Sequence, residues 1–243
     1  MAATTTFFDI PAGNGGCVAL NPWKTLNYKG IDYDTVWVEY VELEKKLSSL
    51  GIPPNRDVAP FNPKYYSPAL QLPNSTSFMG SLECAAALDE LQPEPSLRLE
   101  NGYVEKASQT AMAIVLGNIG DSFPAFAAKC LTPRDRQYFE RTRSEWMGVG
   151  SFAELAKDPL RTGEQGWAAC QEALKACAQL LAENPDGPFV EGKHFSYADC
   201  IFGSLWMTYK RVDEALLAKI LEYDERLQMH YDACEPYLRR SHH

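Results

Sequence analysis

Short strand-like and helix-like runs alternate through the first hundred residues, then stop at Asn101-Gly102 and never resume; no other feature constrains the fold as tightly. Thr4 to Ile10 has strand character, and Asn21 to Tyr28 reads as a short helix ended by Gly30. Tyr33 to Tyr40 (YDTVWVEY) carries the β-branched and aromatic residues of a second strand. Val41 to Leu50 has helical spacing and stops at Gly51. A loop rich in Pro and Asn covers Ile52 to Pro63. Ala69–Leu72 and Ser77–Met79 then flank the turn Pro73-Asn74-Ser75-Thr76 and predict a hairpin. A helix from Ser81 to Leu91 closes the unit, giving the order βαβα, hairpin, α.

From Tyr103 the pattern is helical throughout. Helices are predicted over Val104–Asn118, Arg134–Trp146 and Glu164–Leu181. The last carries Trp167, Cys170, Leu174, Cys177 and Leu181 on one stripe, so its two cysteines read as core. Leu91-Gln92-Pro93-Glu94-Pro95 to Asn101-Gly102 is the natural linker. The expected division is an α/β domain over residues 1–92, a linker over 93–102 and an all-α domain over 103–243.

A net charge of −9 over 243 residues argues against nucleic acid or an anionic membrane as the main partner. The opening MAATTTFFDI lacks the charged and apolar regions of a secretory leader, and no apolar run reaches bilayer length. Seven scattered cysteines without a CxxC pair fit a reduced, cytoplasmic setting. No metal is expected, since His194 and His230 lack ligand-like spacing. GxGxxG, a Walker loop, GxSxG and HExxH are all absent.

Three stretches carry possible chemistry. Ser67-Pro68 stands at the entry to the third strand; a cis bond there leaves the backbone of Ser67 free to pair with a peptide-like ligand. Gly80-Ser81 turns a strand into a helix, where Ser81 is a candidate N-cap and the helix start a place for a carboxylate. Ser196-Tyr197-Ala198-Asp199 is a capping box before an apolar helix, with Phe195 at the staple position, and reads as structural.

The layout, the SPAL strand entry, the GS helix start and the SYAD box together resemble the cytosolic glutathione transferases, and cover nearly the whole chain. NPWKT, LNYKGIDYDTVWVEY and QYFERTRSEWMG resemble the fungal FuA class, related to the β-etherases. The resemblance implies a thioredoxin-like N-terminal domain that binds glutathione and a helical domain that builds most of the acceptor pocket. It implies a homodimer. Ser67 and Pro68 match the backbone clamp for the cysteinyl part of glutathione, and Ser81 the position that binds the γ-glutamyl carboxylate. Gly80 departs from the acidic or polar residue usual there, and Lys64 is a candidate for the glycyl carboxylate.

The larger departure lies in CVALNPWKT. Anchored on Trp23-Lys24-Thr25, the stretch puts Ala19 where the class has a thiolate-stabilising serine. A free thiol with a pKa of about 8.5 is only a few per cent ionised at neutral pH, and lowering it by two units needs about 2.7 kcal/mol. Ala19 has no donor. Asn21 offers an amide NH₂; Cys17 offers a thiol that forms a mixed disulfide in thiol-transfer branches. The alternatives are local capping by Asn21 beside Pro22 and simple burial of Cys17. The expected function is a glutathione-dependent transferase, lyase or isomerase for small hydrophobic or aromatic electrophiles, in fungal detoxification or secondary metabolism. The second reading is a ligand-binding protein of the same fold that has lost thiol activation. Phe123, Phe126, Tyr138 and Trp146 are candidate pocket aromatics.

Overall fold

In the computed structural model, which describes residues 4–13, 15, 18, 20–56, 58 and 63–238 (apart from the side chains of 20–24), the first strand is β1, Thr5–Asp9. It is followed by α1 (Leu20–Lys29), β2 (Tyr33–Trp37), a 3-10 turn at Tyr40–Glu42 and α2 (Leu43–Ser49). The hairpin strands β3 (Ala69–Gln71) and β4 (Ser77–Met79) lead into α3 (Ser81–Leu91). The rest is helical: α4 (Tyr103–Gly117), α5 (Ile119–Cys130), α6 (Pro133–Met147), α7 (Phe152–Leu155), α8 (Gly163–Ala182), α9 (Tyr197–Val212), α10 (Glu214–Leu221) and α11 (Glu225–Cys234). The second strand is shorter than its sequence pattern, because the chain leaves the sheet after Trp37 and coils at Tyr40.

The chain divides into two units, one formed by residues 1–95 with 130–150, the other by 96–129 with 151–239. In the first, the sheet order is β2-β1-β3-β4, with β1 parallel to β2 and antiparallel to β3. Central β1 is buried on both faces, and Phe8 is in register with Val36 on one side and Ala69 on the other. Phe8, Ile10, Val38, Leu43, Leu47 and Ala69 form one apolar cluster, which seats α2 against the sheet. Lys29, at the end of α1, is buried; its ammonium meets Asp89 at 2.6 Å and donates to the carbonyls of Gln92 and Pro95 at 2.6 and 2.9 Å. That single cation ties the end of α1 to the C-cap residue of α3 and to the chain just beyond it.

Helix α6 belongs to this first unit, although the sequence places it in the middle of the helical run. Three consecutive residues dock it. Pro133 sets the first helical position, Arg134 reaches Glu39 and Glu42 at 2.6 and 2.9 Å, and Asp135 accepts the Tyr40 backbone N–H at 2.7 Å. Asp135 is fully buried, and its other oxygen has no hydrogen-bond partner among the described residues.

In the second unit α4 packs along α8 and α9. Gly117 lets the backbones meet, since a Cβ there would lie 2.6 Å from the Cys170 nitrogen. Cys170, Leu174, Cys177 and Leu181 are buried as the stripe predicts, and burial pushes both thiols up. The capping box at Ser196 is present, and Asp199 does more than cap. One oxygen takes the Ser196 N–H and hydroxyl at 2.7 and 2.9 Å; the other takes the Val190 N–H at 2.8 Å and faces His230 Nε2 at 3.1 Å. Because Trp206 Nε1, which can only donate, lies 3.1 Å from His230 Nδ1, the histidine carries its proton on Nε2 and donates it to Asp199.

Two outcomes follow. Asp199→Ala orphans several buried donors at once, at about 1–3 kcal/mol for each, and should cost about 3 kcal/mol or more in urea unfolding. An unchanged midpoint contradicts this account of the network. At Asp135, burial holds the carboxyl above its ordinary range. The folded protein therefore keeps that proton more tightly than the unfolded chain, and stability falls as pH rises from about 4 through the raised pKa. Asp135→Asn keeps the acceptor for Tyr40 and should remove that part of the slope in urea midpoints taken across the acidic range; an unaltered slope contradicts it.

Candidate functional site

The entry to β3 brings two of the sequence-derived residues to one place. The Ser67-Pro68 bond is cis. Asp9, at the buried end of β1, accepts the Ser67 hydroxyl at 2.7 Å and turns that side chain into the protein. The peptide N–H and C=O of Ser67 have no backbone partner among the described residues. They form a strand edge of one residue, the geometry by which an extended peptide adds to a sheet.

The α3 start adjoins this edge, because the Gly80 N–H donates to the Pro68 carbonyl at 2.9 Å. Sequence reasoning puts Ser81 at the N-cap, but the N-cap is Gly80, whose carbonyl accepts the first helical bond from Cys84 at 2.9 Å; Ser81 is the first residue of the helix. Gly80 sits at φ +107, where a side chain is strained. A Cβ there would also lie 2.2 Å from Glu83 Oε2 and 2.7 Å from the Tyr66 hydroxyl. This explains the departure at position 80: the backbone angle requires glycine, and the carboxylate nearest that position belongs to Glu83. The N–H groups of Ser81, Leu82 and Glu83 have no backbone partner among the described residues, so the helix start is open to an anion.

Beside Ser67 lies a pocket of about 180 Å³. Tyr40, Tyr65, Tyr66 and Tyr138 wall it, with Leu43 and Pro63, and Arg143 supplies its cation. Tyr40 stacks on Tyr138 with centroids 5.7 Å apart, and its phenol is pushed up to about 12 by burial, against the pull of Arg143. Burial lowers the Arg143 guanidinium, which lies 4.3 Å from the Trp146 ring, 4.5 Å from Phe139 and 5.3 Å from Tyr40. Burial, then the Glu83 charge, raises Tyr66. A wider cleft of about 500 Å³ runs beside Trp37, Glu42 and Lys45, away from Ser67.

The other sequence-derived residues fall elsewhere. Lys64 pairs with Glu44 at 2.7 Å, both exposed, and stands over the Tyr65 ring. Asn21 lies in the first turn of α1, its side chain outside the described residues; Cys17 and Ala19 lie outside them altogether. Of the candidate aromatics, Tyr138 walls the pocket and Trp146 stacks on Arg143, while Phe123 packs on Phe152 in the second unit. Sequence reasoning missed Asp9, Glu83 and Arg143. Arg143 had a signal, since Phe139 and Trp146 stand four residues before it and three after, on one helix face.

Comparison with known proteins adds an independent observation. Residues 18–91 match the model of the glutathione S-transferase N-terminal domain, and residues 105–237 that of the C-terminal domain. A glutathione S-transferase-like protein of Aspergillus flavus, UstS, is 29% identical over 216 residues, covering 81% of this chain and 75% of its own. A glutathione S-transferase of Ceriporiopsis subvermispora, solved in complex with glutathione, superposes with a TM-score of 0.81 at 27% identity, over 96% of this chain and 97% of that one. The fold also matches that of the transferase GSTFuA3 of Phanerochaete chrysosporium, with a TM-score of 0.81 at 23% identity over 98% of both chains. Matched in both halves, and over more than half its length by the C-terminal model alone, the chain belongs to the glutathione S-transferase family.

Proposed function

We propose that this protein binds glutathione and presents its thiolate as nucleophile to a small hydrophobic or aromatic electrophile, in conjugation (a C–S bond forms and a leaving group departs or a proton adds), ether cleavage (a C–S bond replaces the C–O bond) or isomerisation (the sulfur adds and leaves again). The observation that carries the reading is the peptide edge of Ser67, without a backbone partner among the described residues, beside the open start of α3. Glutathione is an extended tripeptide with a zwitterionic γ-glutamyl end. The Ser67 edge offers its cysteinyl unit a backbone donor and acceptor. The free N–H groups at Ser81 and Leu82 suit its α-carboxylate, and Glu83, held over Gly80, suits the neighbouring ammonium. Lys64 remains a candidate for the glycyl carboxylate, in exchange for Glu44.

When bound, glutathione supplies a sulfur nucleophile. This chain's part is to fix the peptide so that sulfur faces the aromatic pocket and to favour the ionised thiol. For that last task Asn21 and Cys17 remain the candidates in the opening loop. Ala19 in place of a hydroxyl favours a second reading, a protein of this fold that holds glutathione and aromatic ligands without activating the thiol. Detoxification or secondary metabolism in a fungus is the setting we infer; the similar proteins named above are fungal. We further infer a functional division at the 93–102 linker, which lies between the two family-model matches, and a cytoplasmic homodimer.

Thiolate absorbance of bound glutathione against pH, with turnover of a generic aryl halide, separates the readings. A bound thiol pKa lowered by about two units and measurable turnover are expected. Binding with an unshifted pKa and no turnover selects the second reading, and absence of binding overturns both. Glu83→Gln should weaken glutathione about tenfold in calorimetry while leaving the unfolding midpoint within about 0.5 kcal/mol of wild type. Unchanged affinity removes Glu83 from the site.

A further inference from the structure

Arg143 is a guanidinium placed at some cost and given little to hold. It lies among three aromatic rings, and its one hydrogen bond among the described residues goes to the Thr142 hydroxyl at 2.9 Å. No carboxylate pairs with it among the described residues, whereas Arg134, on the same helix, holds two. A guanidinium has five N–H donors in a planar fork, and partial burial without an anion leaves most of that capacity unused. The rings fix the plane of the fork by stacking, so it faces the pocket already oriented.

The pocket narrows what can meet it. Four tyrosines wall the space, which favours a flat ring against their faces. Its volume of about 180 Å³ is well below the ~300–1,000 Å³ of sites for drug-sized ligands, so it admits one ring with a small substituent. In a chain of net charge −9, a partly buried cation lining an aromatic slot selects for an anion that the surface would otherwise repel. A carboxylate matches the fork in bidentate geometry.

We propose that the pocket between α6 and the Ser67 loop binds a small aromatic carboxylic acid, with Arg143 taking the carboxylate and the tyrosines the ring. As the acceptor substrate class, this deepens the proposed glutathione-dependent function and rests on it. As a binding site it is measured with glutathione absent, so the two readings fail separately.

The test is calorimetric titration with 4-hydroxycinnamate and with its uncharged amide, on the wild-type protein, Arg143→Met and Arg143→Lys. The wild type should prefer the acid by about tenfold or more. R143M should lose that preference while keeping the affinity for the amide, and R143K should fall between. Equal affinities for acid and amide in the wild type overturn the proposal without need of any variant. A loss of both ligands together in a folded R143M shows a merely structural role and also overturns it. Glutathione carries carboxylates of its own, so it is titrated in parallel. If R143M weakens glutathione and leaves the aromatic acid unchanged, the residue serves the tripeptide and the proposal fails.

Discussion

The candidate site depends on a partly buried hydrogen bond between elements almost a hundred residues apart, from the Tyr40 backbone N–H to the Asp135 carboxyl group. Tyr40 begins the turn after β2, where its N–H would otherwise be an unpaired donor at the edge of the sheet. By accepting it, Asp135 holds the first turn of α6 against that edge, so that Tyr138 and Arg143 line the pocket beside Ser67. The Arg134 pairs with Glu39 and Glu42 lie in solvent and add little energy, though they fix the direction of approach. A second tie, from the Gly13 N–H to the Cys130 carbonyl at 2.8 Å, holds the chain just before α6 to the end of β1.

Much of the fold was legible, because its signals are local. Period-two and period-3.6 patterns give β1, the hairpin and the long helices, and α3 spans Ser81–Leu91 as its pattern predicts. Long-range polar contacts were not legible. Thr132-Pro133-Arg134-Asp135 has the spacing of a capping box, and the Asp135 N–H does meet the Thr132 hydroxyl. The side chain of Asp135 goes to Tyr40 instead, and no local rule reports that. Asp199 was read as a cap, and its second oxygen met His230, 31 residues on. For the same reason no local pattern reports that α6, which follows the linker in sequence, groups by its contacts with the first unit.

The site was legible in outline and not in its charges. Ser67, Pro68, Gly80 and Ser81 were found as motif positions, and the structure brings all four together. Gly80 looked like a defect in the sequence; its backbone angle, φ +107, makes it a requirement. Glu83 escaped notice because its place above position 80 depends on where the first helical turn starts. The chemistry proposed to face the ligand in this first unit thus separates into a helix start with one acid, a peptide edge without a backbone partner among the described residues, and an aromatic slot lined by Arg143.

A crystal structure of the protein with glutathione tests this arrangement most directly. The account predicts the cysteinyl backbone hydrogen-bonded to the N–H and C=O of Ser67, and the γ-glutamyl carboxylate at the Ser81 and Leu82 N–H groups. It also predicts Glu83 on the ammonium and sulfur directed toward the slot that Tyr138 and Arg143 help to line. Glutathione bound away from Ser67, or with its γ-glutamyl end in the Arg143 slot, would contradict it.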